Sequence, residues 1–362
     1  MKLRDAKWMG IAAALAAVLG CSDDDADAGS GGATASSSSA TGAAASSSAS
    51  GQGGQGGQGG AGGGGATAEV LASFDAAQFE LPEGLAIDGD ELVLGFAFSS
   101  TADTFDLDGG SRAPFAAFPV PAPNTGFFTG VTTDADGAVY GALVSFTPDP
   151  VAGVYRAATA GSEPALFASH PQLVFPNGFA WGEAGALFVT DSATATVFSV
   201  AGDGSVTPWL SDPLLAGDPT VCGGEPDDIA VGANGVVWTT DALFVASSDQ
   251  ALVARIPIQP DGSAGAIEVL AGPDCSLLGG IDGIALDADG SLVGAVNRAD
   301  RLVRIATDGA VDVILEGSPL DFPASLAFAG SGDERALYVT SFALARALAG
   351  EPASPALVRI RF

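Results

Sequence analysis

Six short segments of the chain open on Glu83, Thr129, Asn177, Asp227, Asp282 and Ala324, each followed by small and apolar residues in alternation. Four of these openers, Glu83, Asn177, Asp227 and Asp282, carry carboxylate or amide oxygens. Such oxygens suit a hard cation, and none of the six supplies the nitrogen or sulfur that zinc or copper prefers. Acidic and amide residues also favour turns, which accounts for any one of them alone. Four of six in one register point to a shared metal site. A cation there can polarise a carbonyl or phosphoryl oxygen while a neighbouring carboxylate attacks or activates water. The only histidine, His170, precedes Asn177 in a connecting loop and is a candidate general base. Serine-hydrolase chemistry is disfavoured, since one histidine and no Gly-x-Ser-x-Gly elbow are present.

The openers stand 42 to 55 residues apart, and each begins a unit of short apolar strands separated by Gly-containing turns. Second strands follow, as in Leu187-Phe188-Val189-Thr190-Asp191 and Val236-Val237-Trp238-Thr239-Thr240-Asp241. Third strands often end in Arg-Ile, and four of the units close on a fourth strand such as Ile267-Glu268-Val269-Leu270. Four strands per unit and six units predict an all-β, six-bladed β-propeller, with the openers of the innermost strands facing the mouth of a central channel. Helical periodicity is confined to one short stretch, Ser341 to Gly350. The last unit ends at Phe362 without a fourth strand, whereas Ala68-Glu69-Val70-Leu71-Ala72 resembles a fourth strand with no unit before it. Residues 68–362 are therefore read as the propeller, with its first strand pairing to the last blade and closing the ring.

Glu83-Gly84, Pro176-Asn177-Gly178 and Asp282-Gly283-Ile284 resemble, in order and spacing, motifs of the senescence-marker-protein/gluconolactonase (regucalcin-like) family, whose wider relatives include diisopropyl fluorophosphatase and the paraoxonases. The resemblance implies an axial calcium held by Glu83, Asn177, Asp227 and Asp282, with Asp227 standing where the family usually has Asn. It also implies hydrolysis of lactones or esters, with Asp282 as nucleophile or base. Asp191, Asp241 and Asn297, at the ends of second strands, are candidates to support the site. A non-catalytic surface propeller that binds a partner or scaffolds, with calcium as a structural pin, is the alternative. The extra carboxylate at Asp227 favours that alternative, because it would make the ion less electrophilic.

Upstream, basic residues to Lys7 are followed by the apolar run Trp8–Leu19 and then Gly20-Cys21, the form of an export signal over residues 1–20. The run is too short to span a bilayer, which needs roughly twenty residues. Val18-Leu19-Gly20-Cys21 resembles a bacterial lipobox, so Cys21 is expected to carry lipid and to tether the chain in the cell envelope, at the outer rather than the inner membrane. Residues 21–67, rich in Ser, Gly and Ala, cannot bury enough apolar surface to fold and read as a flexible linker. In the exported chain Cys222 and Cys275 occupy equivalent loops of neighbouring blades and are expected to pair. With 13 Lys+Arg against 43 Asp+Glu, a net charge of −30 excludes nucleic acid and anionic membrane surfaces as partners. A small-molecule substrate or ligand, and membrane contact through the lipid alone, remain.

Overall fold

A computed structural model describes residues 66–362; the export segment, Cys21 and the rest of the linker to residue 65 lie outside the described residues. Its strands form six four-stranded antiparallel sheets. Five sheets use four consecutive strands, whose innermost members are Pro82–Asp88, Gly126–Thr133, Pro176–Trp181, Ala233–Trp238 and Ile281–Leu286. The sixth takes Pro323–Ala329, Ala336–Ser341 and Ala356–Arg361 from the end of the chain and Thr67–Ser73 from its start. Thr67 pairs with Arg361 and Ser73 with Ala356, so the ring closes through strands from both ends of the domain, as the orphan strand of the sequence implies. The expected helix is Leu344–Ala349, after the second strand of blade 6.

Alternation along each strand sends side chains to both faces of its blade, and both faces are covered because every blade lies between two others. The core is divided accordingly. One apolar cluster joins blades 1 and 2 around Phe128 and Leu143, and others join blades 2 to 3, 3 to 4, 4 to 5 and 5 to 6. A further cluster around Leu92, Tyr338 and Leu357 joins blade 6 to blade 1. The recurring Arg of the third strands points outward, where Arg255 pairs with Asp241, Arg304 with Asp287 and Arg359 with Glu69.

Blade 4 departs from the sequence reading. Its innermost strand is Ala233–Trp238 and its second strand is Ala242–Ser247, so Val236 to Trp238 end the first strand and Thr239 to Asp241 form the turn after it. The segment from Asp227 to Val231 is part of the connection that leads into the blade. That connection is long, carries the short turns Pro213–Leu215 and Pro219–Cys222, and is fastened to the next connection by a Cys222–Cys275 disulfide. Closing a loop of 53 residues stabilises by at most about 4 kcal/mol in the chain-entropy model. Reduction with alkylation is thus expected to lower the melting temperature by several degrees while leaving the β-sheet circular dichroism at room temperature intact. An unchanged melting temperature would show that the bridge adds nothing.

Candidate functional site

In every blade the pairing of the first strand with the second slips at the opening residue. Pro82 pairs with Phe96 and Gly84 with Gly95, leaving Glu83 unpaired; Phe128 and Val131 pair on either side of Thr129; Pro176 and Phe179 pair on either side of Asn177. The same gap encloses Asn234, Asp282 and Ala324. A bulge of this kind re-aims a side chain that would otherwise lie along the sheet face. The residue after each opener is glycine in five blades, and the reason is steric. A Cβ on Gly84, Gly130, Gly178, Gly235 or Gly283 would come within 2.8 Å of the carbonyl oxygen of the next blade's opener. The recurrent glycine is the signature of blades packed backbone to backbone around the axis.

This register identifies the blade 4 opener as Asn234, followed by Gly235. Asp227 is exposed in a turn and does not open an inner strand. The departure from the family pattern inferred at Asp227 therefore disappears, and with it the third carboxylate: the ring presents Glu83, Asn177, Asn234 and Asp282, with a formal charge of −2. Asn234 could have been found from the sequence by requiring the glycine that follows the other polar openers.

Glu83, Asn177, Asn234 and Asp282 are all buried. Asn177 donates from Nδ2 to Ser192 Oγ, which in turn donates to the carbonyl of Ala233 in the next blade. Asn234 repeats the device, donating to Ser248 Oγ, which donates to the carbonyl of Ile281. Each serine thereby occupies the amide nitrogen and leaves Oδ1 as the atom able to ligate. Asn297 donates from Nδ2 to Asp282 Oδ2 at 3.1 Å. Asn177, Asn234 and Asp282 line one axial cavity of about 80 Å³. Two residues after the openers, Leu85, Val131, Phe179, Val236, Ile284 and Leu326 line the same cavity, so the polar layer rests on an apolar one.

Burial pushes the Asp282 carboxyl up to about 7, while hydrogen bonds from Asn297 and Asn234 oppose the rise. Glu83 is raised well above the usual carboxylate range, first by burial and then by the charge of Asp282. One carboxylate oxygen, Glu83 Oε2, is buried with no hydrogen-bond partner. Buried polar atoms are rarely left so, and an orphaned anionic oxygen beside a second carboxylate is what a cation would satisfy. The donor set, two carboxylates and two amide oxygens, fits calcium.

The remaining candidates separate. Asn297 touches Asp282 directly. Asp191 is buried but fully engaged, accepting from the backbone of Val174, Phe175, Ala193 and Thr194, so it anchors the loop into blade 3. Asp241 lies exposed between the first two strands of blade 4, away from the openers, and pairs with Arg255. His170 accepts at Nδ1 from the Gln172 backbone and packs on Phe198 in the third strand of blade 3. It does not line the axial cavity. The expectation of a base at His170 therefore has no support in its position.

The openers, their glycines and the ring closure invite comparison with known proteins. Residues 240–343 match a family model described as SMP-30/Gluconolactonase/LRE-like region. The matched span contains Asp282 and Asn297; Glu83, Asn177 and Asn234 lie before it. The fold is similar to that of a luciferin-regenerating enzyme, at 16% identity and TM-score 0.60, covering 82% of this chain and 96% of that one. It is also similar to a putative gluconolactonase, at 17% identity and TM-score 0.59, covering 82% and 92%. An auxiliary nutrient binding protein from Bacteroides ovatus shares the fold at 10% identity and TM-score 0.58, covering 82% and 76%. No curated protein matches in sequence. At these identities the neighbours establish the propeller, while the SMP-30/Gluconolactonase/LRE-like match adds a sequence link through blades 4 to 6.

Ser248 is a residue the sequence reading missed, because the carbonyl it donates to, that of Ile281, belongs to the next blade. Ser248→Ala frees the Asn234 amide to rotate. If the four openers hold calcium, its affinity should fall by roughly 10- to 100-fold in this variant, as for other residues that orient a metal ligand. Titration calorimetry checks this, and an unchanged affinity removes the serine from the site.

Proposed function

We propose that the propeller holds a calcium ion at its channel mouth and hydrolyses lactones or esters there. The orphaned Glu83 carboxylate oxygen carries the reading, because it is buried without a hydrogen-bond partner and close enough to Asp282 to feel its charge, and Asp282 lines the axial cavity with Asn177 and Asn234. Glu83, Asn177, Asn234 and Asp282 would hold the ion. When bound, calcium would supply the positive charge that polarises the acyl carbonyl. Asp282 takes the proton of an attacking water and returns it to the departing alkoxide, or attacks the acyl carbon itself and is then freed when water cleaves the resulting anhydride; either way water is added across the acyl C–O bond, giving an alcohol and a carboxylic acid that loses its proton to solvent. Asn297, bonded to Oδ2, holds the Asp282 carboxyl in one orientation. The apolar layer beneath confines the charged groups to the mouth.

The site with Asn234 in place of Asp227 favours catalysis over a purely structural ion, since one fewer carboxylate leaves the cation more electrophilic. Export and anchoring through Cys21 in the cell envelope belong to the same proposal and rest on the sequence of residues 1–21. Lactone and aryl ester panels assayed with calcium and with chelator test the activity. A cation that binds only the folded state stabilises it by about 2.7 kcal/mol at a hundredfold excess over its dissociation constant. Calcium should therefore raise the melting temperature and chelator should abolish turnover. Calcium binding without turnover would instead establish the scaffold or binding role, and no thermal shift would remove the metal.

A further inference from the structure

A cavity of about 510 Å³ opens on the face that carries the openers. Its wall is built by Phe79 and Ile229 from connections that lead into innermost strands, by Phe127 near the start of the blade 2 innermost strand, by Phe98 and Phe342 just after second strands, and by Leu344 at the start of the blade 6 helix. Blades 6, 1 and 2 and the connection into blade 4 all contribute, so the cavity is a feature of the mouth and not of one blade. Phe79, Phe98 and Leu344 also pack against one apolar cluster that contains Leu81, two residues before Glu83, and Ala324, the opener of blade 6. The wall is thus continuous with the ring of openers. Among the described residues lining it, none is charged; Gln78, Ser99, Ser100 and Asn124 are the polar ones with side-chain hydrogen-bonding groups. In a chain with 43 acidic residues, that exclusion is a property of the site.

We infer that this cavity takes the apolar, uncharged substituent of the ligand, so that the substrate class is lactones or esters bearing an alkyl chain or aryl ring, and not polyhydroxylated sugar lactones. A sugar ring would leave its hydroxyls against phenylalanine and proline, unable to replace the hydrogen bonds they make to water. An alkyl chain loses nothing of that kind and gains by burial, at about fourfold in affinity per methylene. The catalytic half of the inference rests on the hydrolase reading; the binding half does not.

The test uses the full chain with calcium and N-phenyl-1-naphthylamine, a neutral apolar fluorophore. The dye should brighten on binding and be displaced by γ-decanolactone at concentrations at least tenfold below those needed of γ-butyrolactone, while D-glucono-δ-lactone leaves it bound. Val120→Asp, at an exposed position on the rim, and Phe98→Ala should each weaken dye binding about tenfold. If hydrolysis occurs, kcat/KM should rise along the alkyl series in the wild type and much less in Val120→Asp. Dye binding that obeys these rules without turnover upholds the pocket and refutes the hydrolase. Dye binding absent or indifferent to both variants overturns the pocket whatever the activity, and so does turnover of gluconolactone equal to that of decanolactone.

Discussion

Deleting Thr67–Ser73 should destabilise the whole propeller, lowering the melting temperature by at least roughly 10 °C or preventing folding. The strand supplies the outer edge of blade 6, pairing along Ala356–Arg361 with one bulge between Val70 and Ala72. It also brings Ala68 to the cluster between blades 5 and 6, and Leu71 and Ala72 to the cluster between blades 6 and 1. Its loss would uncover Ala356–Arg361, where Leu357, Val358 and Ile360 are fully buried. A newly exposed apolar edge is both a loss of burial and a template for association. Because blade 6 is the seam of the ring, the strain is not confined to one blade: blade 1 leans on it through Leu85, Leu92 and Tyr338. For a domain of this size several kcal/mol correspond to a shift of the stated order. Removing residues 30–60 instead should leave the melting temperature unchanged. Equal effects from the two deletions, or none from the first, would refute closure as the source of stability.

The ring closure was legible because it needs only a count of strands: a final unit one strand short and a leading strand with no unit. Glu83, Asn177 and Asp282 were legible because each is a polar residue followed by glycine, and the glycine answers a carbonyl of the next blade. Blade 4 was misread because the connection into it imitates a strand. Ile229 is buried and packs with Val144, Phe146 and Phe175, so Asp227-Asp228-Ile229-Ala230-Val231 shows the apolar alternation of a strand while lying outside any sheet. Periodicity reports burial, and a loop folded over neighbouring blades is buried too. The serines that orient Asn177 and Asn234 were illegible for another reason. Their partners are carbonyls of the next blade, brought near only by the ring. His170 lies on the expected connection, but sequence could not say that its ring turns to Phe198.

Asp282→Asn should lower kcat/KM for any turned-over lactone or ester by about a thousandfold or more, the scale of losing a positioned base or nucleophile. The substitution keeps size and one oxygen donor, so it isolates the charge and the basic oxygen from the shape of the site. Asn297 can still bond to the amide oxygen, which preserves the local structure, and far-UV circular dichroism is the control. Calcium affinity should fall as well, since the ring's formal charge drops from −2 to −1. The two effects can be parted by saturating the variant with calcium: activity that stays low when the thermal shift shows full binding assigns the loss to the missing carboxylate, and activity that recovers assigns Asp282 to metal binding alone. Asp227→Asn supplies the matching control. Placed at the fourth-blade opener, as the sequence first suggests, it would weaken calcium in the same way. In the exposed turn it occupies, it should leave both affinity and turnover at wild-type values.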